Sequence, residues 1–177
     1  MAWRFYNSSG VAKTGEYGEL ATPGIVVQMV NTQTGAVATG TTILPYDNTI
    51  PQITEGDQYM TLGITPKHAD NILTIVVHGS WSTRVDNETL SVALFVGTTA
   101  NALAAVAYYE SGIDVLGPVS FQHRVVAGVT SALTFRVRAG AYGAGTGAGT
   151  TTFNGDNALR KLGGVCSSSI TITESTP

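Results

Sequence analysis

The chain has few charged residues and one cysteine. Charged residues make up 12% of its 177 residues, and nine basic against twelve acidic side chains leave a net charge of −3. Soluble domains usually carry about twice that charged share, roughly 25%. Because no basic cluster is present, we expect no binding to nucleic acid through its phosphates. Cys166 has no partner for an intrachain disulfide, which favours folding in a reducing cytoplasm.

Long hydrophobic runs are also missing. No stretch approaches the ~18 consecutive apolar residues that a membrane-spanning helix needs. The opening residues 1–7 contain no apolar run of signal-peptide length. The sequence therefore predicts neither membrane insertion nor a secretory signal.

Threonine, serine and glycine are abundant, with 25, 12 and 21 copies. β-Branched residues fit a pleated surface, and glycine supplies the positive φ that tight turns require. A hydrophobic fraction of 43% is enough for the core of one ordinary domain. The composition indicates a β protein with a neutral, hydroxyl-rich surface.

The chain divides into residues 1–24, which are polar and end at Pro23-Gly24, and residues 25–177. The first part is typical of an extended N-terminal arm. In the second, nine short apolar or alternating runs recur between turn signals. They are Ile25–Val30, Ala38–Leu44, Tyr59–Ile64, Ile72–Gly79, Thr89–Val96, Leu103–Tyr109, Val119–Val126, Leu133–Ala139 and Val165–Thr173.

Strict alternation is clearest at Thr89–Leu94 and at Leu133–Arg138, where apolar and polar residues fall on opposite faces. The segment Asn101–Ala107 has a helix-like composition, but its β setting favours a strand. Eight or nine short strands with turns at this spacing predict an all-β fold. We expect an antiparallel β-sandwich of jelly-roll type, with residues 1–24 as the arm and residues 25–177 as the domain.

The glycine-rich stretch Gly140–Gly149 formally matches a dinucleotide-binding pattern. That pattern functions only where a strand leads into a helix, whereas Thr150–Gly155 is no helix and no lysine follows the glycines. We therefore predict a long flexible loop and no cofactor.

Three scattered histidines, His68, His78 and His123, provide no ligand spacing for zinc, and we predict no metal ligands among them. Loosely clustered carboxylates, Asp47, Glu55 and Asp57, allow three interpretations. An acidic solvated loop is favoured, a calcium site is second, and a glycosidase carboxylate pair is third. No nucleophile motif of the G-x-S-x-G type occurs, and we predict no catalytic residues and no enzymatic activity.

Aromatic side chains are the remaining candidates for ligand binding. Trp81 and Tyr142 are the residues we select, with the pair Tyr108-Tyr109 beside them, because flat rings stack on sugars at low entropic cost. Each ring could equally pack in the core or at a subunit interface.

Several stretches together resemble a family of tailed-bacteriophage virion structural proteins, the tail-fibre-like or virion-surface jelly-roll proteins. The resemblance covers most of the chain from about residue 25, and its motifs are turns and strands, so no functional residue is carried over. The stretches are Val27–Thr42, Pro45–Gln52, Glu55-Gly56, Thr152–Gly155, Gly163–Val165 and Ser168–Glu174, together with the fibre-like opening Trp3–Gly10.

The resemblance implies a homotrimer on the exterior of a virion that is assembled in the host bacterial cytoplasm. The function that we expect is a fibre or knob-type component for host attachment, with a host-surface glycan as ligand. About 24 residues precede the domain, whereas tail fibres ordinarily carry a long anchoring region. A trimeric capsid decoration (cement) protein therefore remains the alternative, with the arm contacting other virion proteins, and a glycan-cleaving tail enzyme is the remote alternative.

Overall fold

The computed structural model describes residues 23–143 and 149–177. Two sequence predictions fall outside these residues: nearly all of the arm at 1–24, and the centre of the glycine-rich loop at 144–148. The domain prediction for residues 25–177 is otherwise covered.

β-Strands dominate the described residues, which contain no α-helix. A short 3-10 turn, Leu162–Gly164, is the exception. The twelve strands are β1 (Val26–Thr34), β2 (Ala38–Gly40), β3 (Asp57–Ile64), β4 (Ile72–Thr83), β5 (Glu88–Val96), β6 (Ala104–Glu110), β7 (Gly117–Val126), β8 (Leu133–Ala141), β9 (Thr151–Phe153), β10 (Gly155–Asp156), β11 (Leu159–Arg160) and β12 (Ser168–Ser175). The all-β prediction is confirmed, including a strand where the composition is helix-like.

Two antiparallel sheets form a sandwich. The first sheet has the order β1-β12-β4-β7, with β9 and β2 continuing beside the end of β4. The second sheet has the order β3-β8-β5-β6. Counting only the eight long strands, these orders are 1-8-3-6 and 2-7-4-5, so most chain connections cross from one sheet to the other. The chain is a jelly roll, as the sequence predicts.

The hydrophobic core lies between the two sheets. β8 shows the predicted alternation, because Phe135 and Val137 are fully buried while Arg136 and Arg138 point to the opposite face. On β4, Ile75 and every second residue around it is buried against that row. Burying one such side chain contributes roughly 1.5–3 kcal/mol, so the alternating strands stabilise the sandwich together.

β5 departs from its predicted alternation, because both of its faces are buried. The segment 41–56 crosses the outer face of the second sheet, and its Leu44 packs with Ala93 and Phe95. A glycine in β8 permits this crossing: a Cβ on Gly140 would lie 2.4 Å from the carbonyl oxygen of Thr42. The alternation of residue types at Thr89–Leu94 is therefore not matched by an alternation of burial along β5.

The outer face of the first sheet is rich in hydroxyl and amide side chains. Along its outward positions on β1, β12, β4 and β7, Arg124 is the one residue with a permanent charge. Cross-strand bonds order it, such as Asn31 Nδ2 donating to Thr171 Oγ1 at 2.8 Å. We call this surface the hydroxyl face. Its residues are Met29, Asn31, Gln33, Ser169, Thr171, Thr173, Thr74, Val76, His78, Ser120, Gln122 and Arg124.

Candidate ligand-binding site

A groove of about 190 Å³ opens on the outer face of the second sheet, where the chain crosses β5 and β6. The floor is made by small side chains, since Ser91 pairs with Ala107 across the two strands. These short side chains leave the space that larger ones would fill. We call the site the tyrosine groove. Its lining residues are Pro45, Tyr46, Asp47, Thr49, Pro51, Ser91, Ala105, Val106 and Ala107.

One wall of the groove is a tight turn held by Asp47. Its Oδ1 accepts hydrogen bonds from the Thr49 backbone N–H at 2.8 Å and from Thr49 Oγ1 at 2.6 Å. The hydroxyl and backbone N–H of Thr49 lower the pKa of Asp47 below its usual value. The groove therefore carries a fixed negative charge at neutral pH.

Ser91 brings a hydroxyl to the floor of the groove. The residue is 4% exposed and lines the groove. Its hydroxyl can donate a hydrogen bond to a ligand oxygen or accept one from a ligand hydroxyl seated there.

Three exposed tyrosines lie around the groove. Tyr46 is 60% exposed and lines the groove itself, and Tyr109 is 61% exposed. Thr89 lies between Tyr109 and Tyr142. It pairs with Tyr109 across β5 and β6, and its carbonyl oxygen accepts a hydrogen bond from the backbone N–H of Tyr142 at 2.9 Å. With neighbouring strands about 4.8 Å apart, the two tyrosine backbones are about 10 Å apart.

Hydrogen bonds hold Tyr109 and the backbone next to Tyr142 in place. The hydroxyl of Tyr109 donates to Asn87 Oδ1 at 3.1 Å. Glu88 is 3% exposed, and its Oε2 accepts the backbone N–H of Gly143, directly after Tyr142, at 3.1 Å. Sequence reasoning missed Glu88, because nothing local shows that a residue 55 positions earlier anchors the chain beside Tyr142.

The two residues selected from the sequence have different positions. Tyr142 is 37% exposed and adjoins the groove, whereas Trp81 is fully buried. The Trp81 ring packs against Phe153 and Tyr59, with ring centroids 5.1 and 6.2 Å away. The expectation of a surface ring at Trp81 is thus corrected. Every second residue of β4 points inward, and Trp81 lies at one of these positions. This spacing was the signal that could have placed Trp81 in the core.

The second tyrosine of the sequence pair, Tyr108, also faces inward. Its hydroxyl donates to the Trp81 carbonyl oxygen at 2.5 Å, and burial raises its pKa above the usual value. Of the pair Tyr108-Tyr109, only Tyr109 therefore faces the outer surface, because successive residues of a strand point to opposite faces.

The three clustered carboxylates do not converge. Glu55 accepts the backbone N–H of Gln52 at 2.8 Å, and Asp57 accepts the backbone N–H and hydroxyl of Thr42 at 2.8 and 2.9 Å. Asp47 serves its own turn in the groove. Within the described parts of the chain, no group of three His, Cys, Asp or Glu side chains is placed to hold a metal ion. The arrangement that a calcium site requires is not assembled by these three residues.

A second polar cluster lies at the end of β4, away from the groove. Glu110 is 1% exposed, and its Oε2 accepts the backbone N–H of Thr83 at 2.9 Å. Burial raises the pKa of Glu110 to about 7, with a smaller contribution from Asp114, against the lowering effect of its hydrogen bonds. This carboxyl titrates near neutrality inside the sandwich.

No protein-family model and no curated protein sequence matches the chain. No helix among the described residues reaches the length and apolarity that crossing a bilayer requires.

Solved structures match at low identity. The CBM22-1 xylan-binding domain from Paenibacillus barcinonensis Xyn10C is 12% identical, with a TM-score of 0.40, covering 89% of this chain and 99% of that domain. The CBM36-1 domain of a multidomain xylanase from the hindgut metagenome of Trinervitermes trinervoides is 12% identical, with a TM-score of 0.36, covering 82% and 96%. VP2 of the infectious bursal disease virus subviral particle is 11% identical, with a TM-score of 0.37, covering 85% of this chain and 38% of VP2.

Proposed function

We propose that the protein is a non-enzymatic structural component of the exterior of a tailed-phage virion, a trimeric fibre or knob-type subunit for host attachment. One observation carries the proposal. The tyrosine groove opens on the outer face of the second sheet, whereas the described chain starts at Pro23, beside β1 at the edge of the first sheet. Anchoring through the arm, next to the edge strand β1, leaves the groove free for the host surface. The virion-protein motifs in the sequence support the same assignment.

The hydroxyl face supports the trimer. A symmetric contact buries the same patch on every subunit, and burying unpaired charges is costly. With Arg124 as its one permanent charge, the hydroxyl face can be buried at little such cost. In the proposed trimer, three hydroxyl faces contact one another around the axis and three tyrosine grooves point outward.

Location on the particle is the first test. Antibodies raised against the purified protein should label the tail region of particles that contain the chain, seen by electron microscopy. Labelling spread over the shell would overturn the fibre assignment and support the capsid decoration alternative. The exposed edge strand β1, whose Val26 is 59% exposed and lies outside the hydroxyl face, is the feature that fits such a shell contact.

Attachment is tested by competition. Purified protein should bind host cells and reduce infection, and the double variant Tyr46→Ala/Tyr109→Ala should lose both effects. Leu162→Ala is the matched control, because Leu162 is also a large exposed side chain, 73% exposed, but follows β11 away from the groove. Absence of competition at saturating wild-type protein would overturn host attachment.

The arm is tested by deletion. We expect removal of residues 1–24 to abolish incorporation into particles and to leave a folded trimer. Normal incorporation of the shortened chain would contradict an anchoring role for this segment.

A further inference from the structure

We propose that the tyrosine groove binds a neutral glycan, with one sugar ring seated over Ser91 and the chain continuing across Tyr109 and Tyr142. The proposal deepens the attachment function, which it takes as the reason for the site. Glycan binding itself is measured on the purified protein, so the two proposals can fail separately.

The size of the groove sets how much of the ligand enters. Pockets that enclose a drug-sized ligand measure about 300–1,000 Å³. The tyrosine groove, at about 190 Å³, holds a smaller body. One ring of an oligosaccharide can therefore sit in the groove, and the rest of the chain lies on the surface beside it.

The polar groups of the groove fit hydroxyls. Ser91 brings one hydroxyl to the groove, and Thr49 brings a second that already donates to Asp47. The Asp47 carboxylate can accept hydrogen bonds from ligand hydroxyls, and bonds to a charged acceptor are the stronger kind. A hydroxyl in the floor and a carboxylate with a second hydroxyl in one wall of a small groove match a polyhydroxylated ring.

Charge selects a neutral ligand. No Lys, Arg or His lines the groove, and Asp47 keeps it negative. A uronate or sialate ring would meet a carboxylate and no counter-charge, which disfavours its binding. A neutral hexose or N-acetylhexosamine meets no such repulsion.

The exposed tyrosines continue the site beyond the groove. Aromatic rings supply a large, rigid contact area with two side-chain torsions to order. Tyr109 is oriented by Asn87, and the backbone after Tyr142 is anchored by Glu88, so part of this ordering is complete before a ligand arrives. Thr89 lies between them, so a chain that crosses β5 reaches both rings.

The test is calorimetric titration of the full chain with neutral hexose and N-acetylhexosamine oligosaccharides of one to six units, and with acidic oligosaccharides of equal length. We expect binding of a neutral series that tightens with length and then levels off. Tyr109→Ala and Ser91→Ala should each weaken it by about tenfold, the ratio that 1.4 kcal/mol represents. Leu162→Ala should leave it unchanged.

Three outcomes would overturn the proposal: no neutral oligosaccharide binding at millimolar concentration, stronger binding of the acidic series, or equal weakening by Leu162→Ala. Circular dichroism of each variant checks that the sandwich is intact, and Ser91→Thr serves as a second variant that fills the groove if Ser91→Ala fails to fold. If the protein binds neutral glycans but antibodies against it label no virion, the groove assignment stands and the phage attachment role is overturned.

Discussion

The buried carboxylate of Glu174 accepts a hydrogen bond from Asn71 Nδ2 at 2.5 Å, although 103 residues separate the two. The same carboxylate accepts the backbone N–H groups of Lys67 and His68 at 2.8 and 3.3 Å, and Gln28 Nε2 at 2.5 Å. Glu174 thus ties the β3–β4 connection and the edge strand β1 to β12. Burial alone would raise its pKa, but the four donors together lower it below the usual value.

Glu174→Gln should destabilise the protein by about 2 kcal/mol, because a neutral amide receives the four donors less well and adds its own N–H groups among them. Since the folded pKa is lowered, the contribution of Glu174 is fully present above its ordinary pKa of 4.5 and is lost as the pH falls through the lowered value. Urea unfolding of wild type and variant at pH 7 and at pH 3 measures this. The difference between them should shrink at the lower pH.

The control for this prediction is Asp70→Asn, an exposed carboxylate in the same connection. Its unfolding midpoint should match that of the wild type. A Glu174→Gln midpoint equal to both would show that the four hydrogen bonds contribute nothing net.

Asn154 should be one of the least replaceable residues. It is fully buried with φ of 56°, its Nδ2 donates to the carbonyl oxygens of Thr34 and Ala36 at 2.9 and 3.1 Å, and its Oδ1 accepts the Ser168 hydroxyl at 2.6 Å. Asn154→Ala loses these bonds and places a Cβ in the left-handed region, so we expect a loss of about 3 kcal/mol. Asn154→Gly keeps the loss of bonds but relieves the backbone, and should be about 1 kcal/mol more stable than Asn154→Ala. Denaturant midpoints of the wild type and the two variants measure the lost hydrogen bonds and the backbone strain separately. Equal midpoints for Asn154→Ala and Asn154→Gly would contradict the backbone strain.

The fold could be predicted where the burial pattern is local. β8 alternates in the sequence because one of its faces meets the core, while Arg136 and Arg138 on the other face are only partly buried. The burial of β5 could not be predicted this way, because the segment that covers its outer face comes from residues 41–56. That segment passes close over Gly140 of β8. β9 was missed because three residues around Phe153 are too short for a periodic signal.

The candidate site could be predicted only in part. Tyr142 is exposed near the groove, as its glycine-rich setting suggests, but Tyr46 and Tyr109 join it through strand order alone. Whether Ser91 lines a groove depends on the segment that crosses β5, and no local pattern shows that crossing. Long-range pairing therefore decides the site, and composition only lists its candidates.

Glu110 should make stability fall as the pH rises through neutrality. Its folded pKa of about 7 lies above the ordinary 4.5, so the folded state holds its proton between these values while the unfolded state releases it. Stability should therefore decline from about pH 4.5 to about pH 7 and level off above. Urea midpoints across pH 4.5–8 measure the slope, and Glu110→Gln should flatten it. A variant with the same slope as the wild type would assign the dependence to another group.

Val76→Glu tests the assembly. Val76 pairs with Thr171 on one side and Gln122 on the other, which places it at the centre of the hydroxyl face. If three copies of that face meet at an axis, the substitution brings three carboxylates together without a counter-charge, and like charges at close range disfavour the contact. We expect light scattering to give about three times the 18.4 kDa chain mass for the wild type and one chain mass for the variant, with circular dichroism unchanged. Gln58→Glu, an exposed substitution on the second sheet, should remain trimeric. A wild-type monomer at micromolar concentration, or a trimeric Val76→Glu, would remove the hydroxyl face from the subunit contact.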